Sequence, residues 1–146
     1  MIFRYLRVLQ KLEYAINTKH KLLKIYYQNR LYKLSVKSGI SIRSNNFGKG
    51  PRIPHYETIV VDMSARFGDY CVVQCGVNIS ANVKGGNHIY LGAGCKIMKN
   101  VTIADNVIIG ANSVVTKDIT ESNSVLSEIL EKILKNGFKK HKISYV

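Results

Sequence analysis

Apolar residues recur through the middle of this chain with a period of six. Counted from Val61, the beat falls on Val61, Phe67, Val73, Ile79, Gly85, Leu91, Ile97, Ile103, Ile109 and Val115, and nine of these ten positions are apolar. Four residues after each beat stands a second row, Ala65, Cys71, Val77, Val83, Ile89, Cys95, Val101, Val107 and Ser113, small or apolar throughout. A helix repeats its apolar face every 3.6 residues and a strand every two, so neither alone sustains a six with a second inward row. Short strands joined by tight corners do. Each hexad is one strand and one turn, too small to bury its own apolar side, and stacking hexads into a three-sided prism supplies both core and backbone partners. Gly or Ala follows the beat at Gly68, Gly86, Gly92, Ala104 and Gly110, where a sharp bend or a positive φ penalises a larger side chain.

The flanks keep a different period. Leu6, Leu9, Leu12 and Ile16, then Leu22, Leu23, Tyr26, Tyr27, Leu31 and Leu34, recur at helical spacing and predict one or two amphipathic helices in residues 1–40. Beyond the prism, Leu126, Ile129, Leu130, Ile133 and Leu134 form an apolar stripe between Ser124, a capping residue, and Gly137, a stop. This predicts a short C-terminal helix that covers the open end of the prism, whose last coil exposes strand edges. The chain divides accordingly into a helical leader (1–40), a mainly β prism of about four coils (41–120), and a C-terminal helix with a basic tail (121–146).

Charge sharpens the picture of the leader. Residues 1–46 carry ten Lys or Arg against the single acid Glu13, and so hold nine of the chain's thirteen net positive charges. Two roles remain open for this basic face. It is either the solvated side of a helical cap packed on the first coil or a neighbouring subunit, or a surface that attracts anionic lipid head groups or lipid-linked phosphates. No nucleic-acid recognition motif accompanies it. At 146 residues the chain has room for one core, with no stretch apolar enough to span a bilayer and no signal-peptide arrangement, so a cytoplasmic location is expected. The three cysteines, Cys71, Cys75 and Cys95, read as buried thiols, since neither a disulfide framework nor a metal site has the paired spacing it needs.

One irregularity singles out a residue. Phe47 and Ile53 keep the six-residue step, but the next inward position, Val61, comes eight residues later. Two residues are therefore inserted in "PHYETI", and His55 stands where the coil bulges, a place from which a side chain is turned outward into a groove. "VKGGN" at residues 83–87 reads as a corner, because neither a strand–loop–helix unit nor the spacing of a phosphate loop surrounds it.

The hexads, "PHYETIVVD" and "IYLGAGCKIMKNVTIADNVIIGANSVVTKDI" together resemble the hexapeptide-repeat acyltransferases, over about residues 40–120. Within them the chain is most similar to serine acetyltransferases and their shorter relatives that O-acetylate polysaccharide sugars. The resemblance implies a left-handed parallel β-helix, a homotrimer, acetyl-coenzyme A as cosubstrate with no metal, and His55 as catalytic base. It also implies coenzyme A contacts at Ala93 in "LGAG", at Ala111 in "IGAN", and at Thr116 and Lys117 of "VTKDI", with small residues admitting the pantetheine arm and a lysine suiting phosphate.

Departures from the family bear on the acceptor. Serine acetyltransferases place Asp directly before the catalytic His and a second His in the following coil, where this chain has Pro54 and Asn82. The family's orienting acid falls near Ile40 or Ser41, so a backbone carbonyl is left to orient the imidazole. The closing "VVAGIPAKI" type of segment is replaced by "SVLSEILEKILKNGF". The expected activity is O-acetyl transfer to a hydroxyl, on a sugar of surface polysaccharide synthesis in preference to serine, with possible acceptors including a lipid-linked sugar and with peripheral membrane contact through the leader. Serine O-acetylation and a non-catalytic assembly or binding role are the alternatives. A trimeric β-helix carbonic anhydrase needs three zinc-binding histidines, and only His55 and His88 fall in the solenoid.

Overall fold

In the computed structural model, which describes residues 2–55 and 57–126, two helices lead into a parallel β-solenoid. The first helix, α1 (Ile2–Asn17), buries Ile2, Tyr5, Val8, Leu9, Leu12 and Ala15, a stripe at three- and four-residue spacing that closes the top of the solenoid. The second, α2 (Lys21–Ser38), packs on α1 and ends at Gly39, whose φ of 70° is the left-handed conformation that terminates helices, with its N–H donating to the Ser35 carbonyl. Tyr5 ties this cap to the first coil. Its buried hydroxyl donates to the Ile42 carbonyl at 2.9 Å and accepts from the Ile42 N–H at 3.1 Å.

The solenoid has three faces. Face one carries Ile40–Ser41, Ile59–Val61, Asn78–Ile79, Lys96–Ile97 and Val114–Val115. Face two carries Arg66–Phe67, Lys84–Gly85 and Thr102–Ile103, and face three Val72–Val73, Tyr90–Leu91, Ile108–Ile109 and Val125–Leu126. All pairings are parallel, and in the regular region each residue meets the one eighteen further on, as Val61 meets Ile79 and Ile79 meets Ile97. The chain winds from face one to two to three and back, in keeping with the left-handed β-helix that the family resemblance implies. Five strands on face one make about five turns, one more than expected, because Ile40–Ser41 already pairs with Ile59–Val60 ahead of the regular register.

Both inward rows form the core. Every member is buried apart from Gly85, including Ser113, whose Oγ finds no hydrogen-bond partner among the described residues. At the corners the expectation for glycine needs correction. The positive φ falls three residues after the beat, at Tyr70, Gly76, Asn82, His88, Gly94, Asn100, Asn106 and Asn112, a slot that Asn and Gly tolerate best. The residue directly after the beat is small for another reason: a Cβ at Gly92 would lie 2.6 Å from the Ala111 N and the Ile109 O of the next coil.

Side chains also bridge coils at the edge between faces two and three. Asp69, Asn87 and Asp105 each accept, through Oδ1, a backbone N–H from the coil above, those of Lys49, Asp69 and Asn87. At the far end Ser124 does not cap a helix. It leads into the strand Val125–Leu126, which continues face three, with the Ser124 carbonyl accepting the Ile108 N–H and the Leu126 carbonyl the Gly110 N–H; the remainder of the expected C-terminal helix lies outside the described residues.

Candidate functional site

The edge between faces three and one holds the irregularity. In a regular coil three residues separate the buried positions there: Gln74, Cys75 and Gly76 lie between Val73 and Val77. In the first coil five residues, Pro54 to Thr58, lie between buried Ile53 and buried Ile59. Proline has no N–H, so the ladder that runs from Arg52 N–H to the Cys71 carbonyl has no donor at Pro54, and the chain is free to leave the coil. The ladder resumes where the Val60 N–H donates to the Val77 carbonyl. The two-residue excess thus has its expected place, and His55 lies on it, exposed.

His55 shares this edge with two of the expected cofactor contacts. Arg52 bridges to Val72, which puts His55 in register with Cys75, and Ala93 and Ala111 follow at eighteen-residue steps. Strand spacing sets Ala93 roughly 10 Å and Ala111 roughly 15 Å along the axis from the His55 coil. The edge is poor in side chains: below the bulge it is made of Cys75 and Gly76, Ala93 and Gly94, then Ala111 and Asn112, with Gly76 and Gly94 at φ of 73° and 71°. Gln74 turns aside, its Nε2 donating to the Tyr90 hydroxyl at 3.1 Å. A long, thin ligand can lie against such a strip without displacing side chains.

Thr116 and Lys117 are not on it. Both are exposed just after Val114–Val115, on the edge between faces one and two, below Lys99 in register. Asn82 is on that edge too, where its Nδ2 donates to Asn100 Oδ1 at 3.2 Å. Among the described residues no carboxylate hydrogen-bonds to His55, and no three His, Cys, Asp or Glu side chains gather as a metal-binding group.

The cysteines differ in environment. Cys71 and Cys95 are buried, and burial pushes both thiols up, Cys95 to about 12. Cys75, expected to be buried as well, is half-exposed, because two residues after the beat is a corner and not an inward position. A stack of Tyr70 on His88, with ring centroids 5.3 Å apart, escapes sequence reasoning; its only trace is that both fill the positive-φ slot, eighteen residues apart.

Comparisons with known proteins agree with the fold. Residues 86–117 match the family model described as bacterial transferase hexapeptide (six repeats). In structure the chain is similar to native serine acetyltransferase 1 from Entamoeba histolytica, with a TM-score of 0.69 and 18% identity, over 86% of this chain and 51% of that one. The chain therefore spans about half the length of that enzyme. No curated protein matches it in sequence. Residues 86–117 thus match a hexapeptide-repeat model, and the fold is a β-solenoid similar to that of serine acetyltransferase.

Proposed function

We propose that this protein transfers an acetyl group from acetyl-coenzyme A to a hydroxyl, with His55 as general base. A hydroxyl is a poor nucleophile at neutral pH, so an imidazole within hydrogen-bond reach must take its proton as it attacks the thioester carbonyl. The single observation that carries the reading is the placement of His55: exposed on a two-residue bulge, at the head of an edge stripped of side chains. The pantetheine arm fits that edge because Ala93 and Ala111 offer only methyl groups. Corner N–H groups facing the thioester supply donors for the oxyanion of the tetrahedral intermediate. Collapse of that intermediate expels the coenzyme thiolate and leaves the ester on the acceptor.

A sugar hydroxyl is the preferred acceptor. Pro54 stands where serine acetyltransferases carry Asp, and Asn82 is bonded to Asn100 on a different edge, so the groups that hold an amino acid in that family have no counterpart beside His55. We further propose a homotrimer, in which a neighbouring protomer supplies the wall opposite each His55 and brings a Thr116–Lys117 edge to the cofactor.

The test is thiol release from acetyl-coenzyme A against a panel of sugars, nucleotide sugars and serine, run on the wild type and His55→Ala in parallel. Turnover with a sugar, reduced roughly 10²–10⁴-fold in the variant, is the expected result. Turnover with serine alone would reassign the acceptor, and equal rates in both proteins would remove His55 from the chemistry. Light scattering that returns the mass of one chain would sink the trimer.

A further inference from the structure

Helix α2 has two apolar faces, and only one of them is covered. Tyr27, Leu31 and Leu34 point inward, Leu31 buried and Tyr27 and Leu34 partly so, while Leu23 at the start of that face is 43% exposed. On the opposite side Leu22, Ile25, Tyr26, Tyr32 and Val36 fall within about 120° of arc. Four of these are 84% (Leu22), 58% (Ile25), 67% (Tyr32) and 71% (Val36) exposed, far more than ordinary for large apolar side chains that share one face. Cations border this stripe on both sides: Lys21 on one, Arg30 and Lys37 on the other, with Lys33 inside it. There is no acid in α2.

The stripe adjoins a basic groove. Between α1 and α2 lies a groove of about 660 Å³ walled by Arg4, Arg7, Lys11 and Arg30 together with Tyr26 and Tyr27. The aromatic rings fix the cations in place. Arg30 Nη1 donates to the Tyr26 hydroxyl at 2.8 Å, and Lys11 Nζ stands 5.9 Å from the Tyr27 ring centre. Glu13, the one acid of the leader, is engaged elsewhere, accepting the Asn45 N–H at 2.8 Å. Tyr26 and Arg30 belong to both groove and stripe, so the two form one continuous surface.

We propose that this surface binds the face of an anionic phospholipid bilayer, with head-group phosphates in the groove and the α2 stripe at the level of the acyl boundary. Charge chooses the occupant. A second copy docked stripe to stripe would set Lys21, Arg30, Lys33 and Lys37 against themselves with no acid to answer them, whereas an anionic membrane complements every one. The surface lies on the membrane without crossing it, since among the described residues no helix is long and apolar enough to span.

The experiment is co-sedimentation of the full chain with vesicles containing phosphatidylglycerol, against vesicles of phosphatidylcholine alone. It is run without acetyl-coenzyme A, so its outcome is independent of the acetyl-transfer reading. Binding to the anionic vesicles only, weakening with salt, is expected. The Arg4→Gln/Arg7→Gln/Arg30→Gln variant should lose about fivefold per cation, roughly a hundredfold in all. Leu22→Ser/Ile25→Ser/Val36→Ser should also release the protein; all six side chains are exposed, and circular dichroism verifies the fold. Equal binding to both vesicle types, no binding to either, or retention by the serine variant would overturn the proposal. So would complete displacement by free glycerol phosphate, which would make the groove a small-phosphate site. A halved solution mass in the serine variant with vesicle binding intact would hand the face to a second copy.

Discussion

The ring of Phe67 fills the space above Gly85, its partner in the next coil. A Cβ built at Gly85 collides with Cδ1 and Cε1 of that ring and meets Ile89 Cδ1 at 3.0 Å, which explains why a glycine stands at the one beat position that is not apolar. Above it Phe47 stacks on Phe67, ring centroids 5.2 Å apart, so two rings occupy the volume of three inward residues. Gly85→Val should therefore lower stability by about 1–3 kcal/mol through overpacking, read as a lower urea midpoint at unchanged slope. Trimming the ring in Phe67→Leu/Gly85→Val should recover part of that loss, a coupling that double-mutant analysis resolves. A neutral Gly85→Val would show that the ring has room to move.

Most of the solenoid was legible because its core is a strict repeat. Val73, Leu91 and Ile109 are equivalent by count alone, and the count also exposed the excess between Ile53 and Val61 and so singled out His55. What the repeat could not show lies off the inward rows. The left-handed slot three residues after the beat takes Asn, Gly, Tyr and His alike, so it leaves no hydropathy signal. Asn46, fully buried, makes up for a step of five residues between Ile42 and Phe47: its Nδ2 donates to the Asp62 and Ala65 carbonyls and its Oδ1 accepts the Arg43 N–H. A polar residue in that role looks like a loop residue in sequence. The stripes of α2 cancel in any one-sided helical pattern, which hid the exposed face. The partners of His55 depend on contacts across edges, and count carries no information about those.

Burial separates the three thiols chemically. Iodoacetamide at pH 8 should label one cysteine per native chain, Cys75, while Cys71 and Cys95 react only after unfolding, because burial holds both above the range where thiolate forms and Cys95 at about 12. Cys75 occupies the position in the second coil that His55 occupies in the first, about 5 Å away along the axis. A label there should obstruct the proposed path of the pantetheine arm, and acetyl-coenzyme A should slow labelling. Mass spectrometry of the labelled peptides, with thiol-release rates on the same sample, checks both; a labelled enzyme of full activity would move the cofactor off this edge.

Tyr5 should make the seam between cap and coil sensitive to alkali. Burial raises its phenol above the ordinary value of 10.0, outweighing the lowering effects of the Ile42 hydrogen bond and of Arg43. Between pH 10 and the raised value the unfolded chain has lost a proton that the folded chain keeps, so stability contributed by Tyr5 is full below pH 10 and declines above it. Tyr5→Phe leaves the Ile42 N–H and carbonyl without partners and should cost about 1–3 kcal/mol at neutral pH. The gap between the two proteins in denaturant melts should narrow as pH rises past 10. A gap that widens would mean that the phenol ionises readily in place.

The bulge can be separated from the fold by shortening it. Deleting Tyr56 and Glu57 leaves Pro54, His55 and Thr58 between Ile53 and Ile59, the same three-residue corner that Gln74, Cys75 and Gly76 form in the coil below. Pro54, His55, Glu57 and Thr58 are exposed and take no part in the backbone ladder, and the buried neighbours Ile53 and Ile59 are kept. Thermal unfolding should shift by a few degrees at most, since the closure entropy of a loop changes slowly with its length. Acetyl transfer should nevertheless fall as far as in His55→Ala, because the imidazole would be drawn back flush with the edge and away from a bound thioester. A deletion variant that is both stable and active would mean that His55 works from a regular corner and that the two-residue excess serves another purpose.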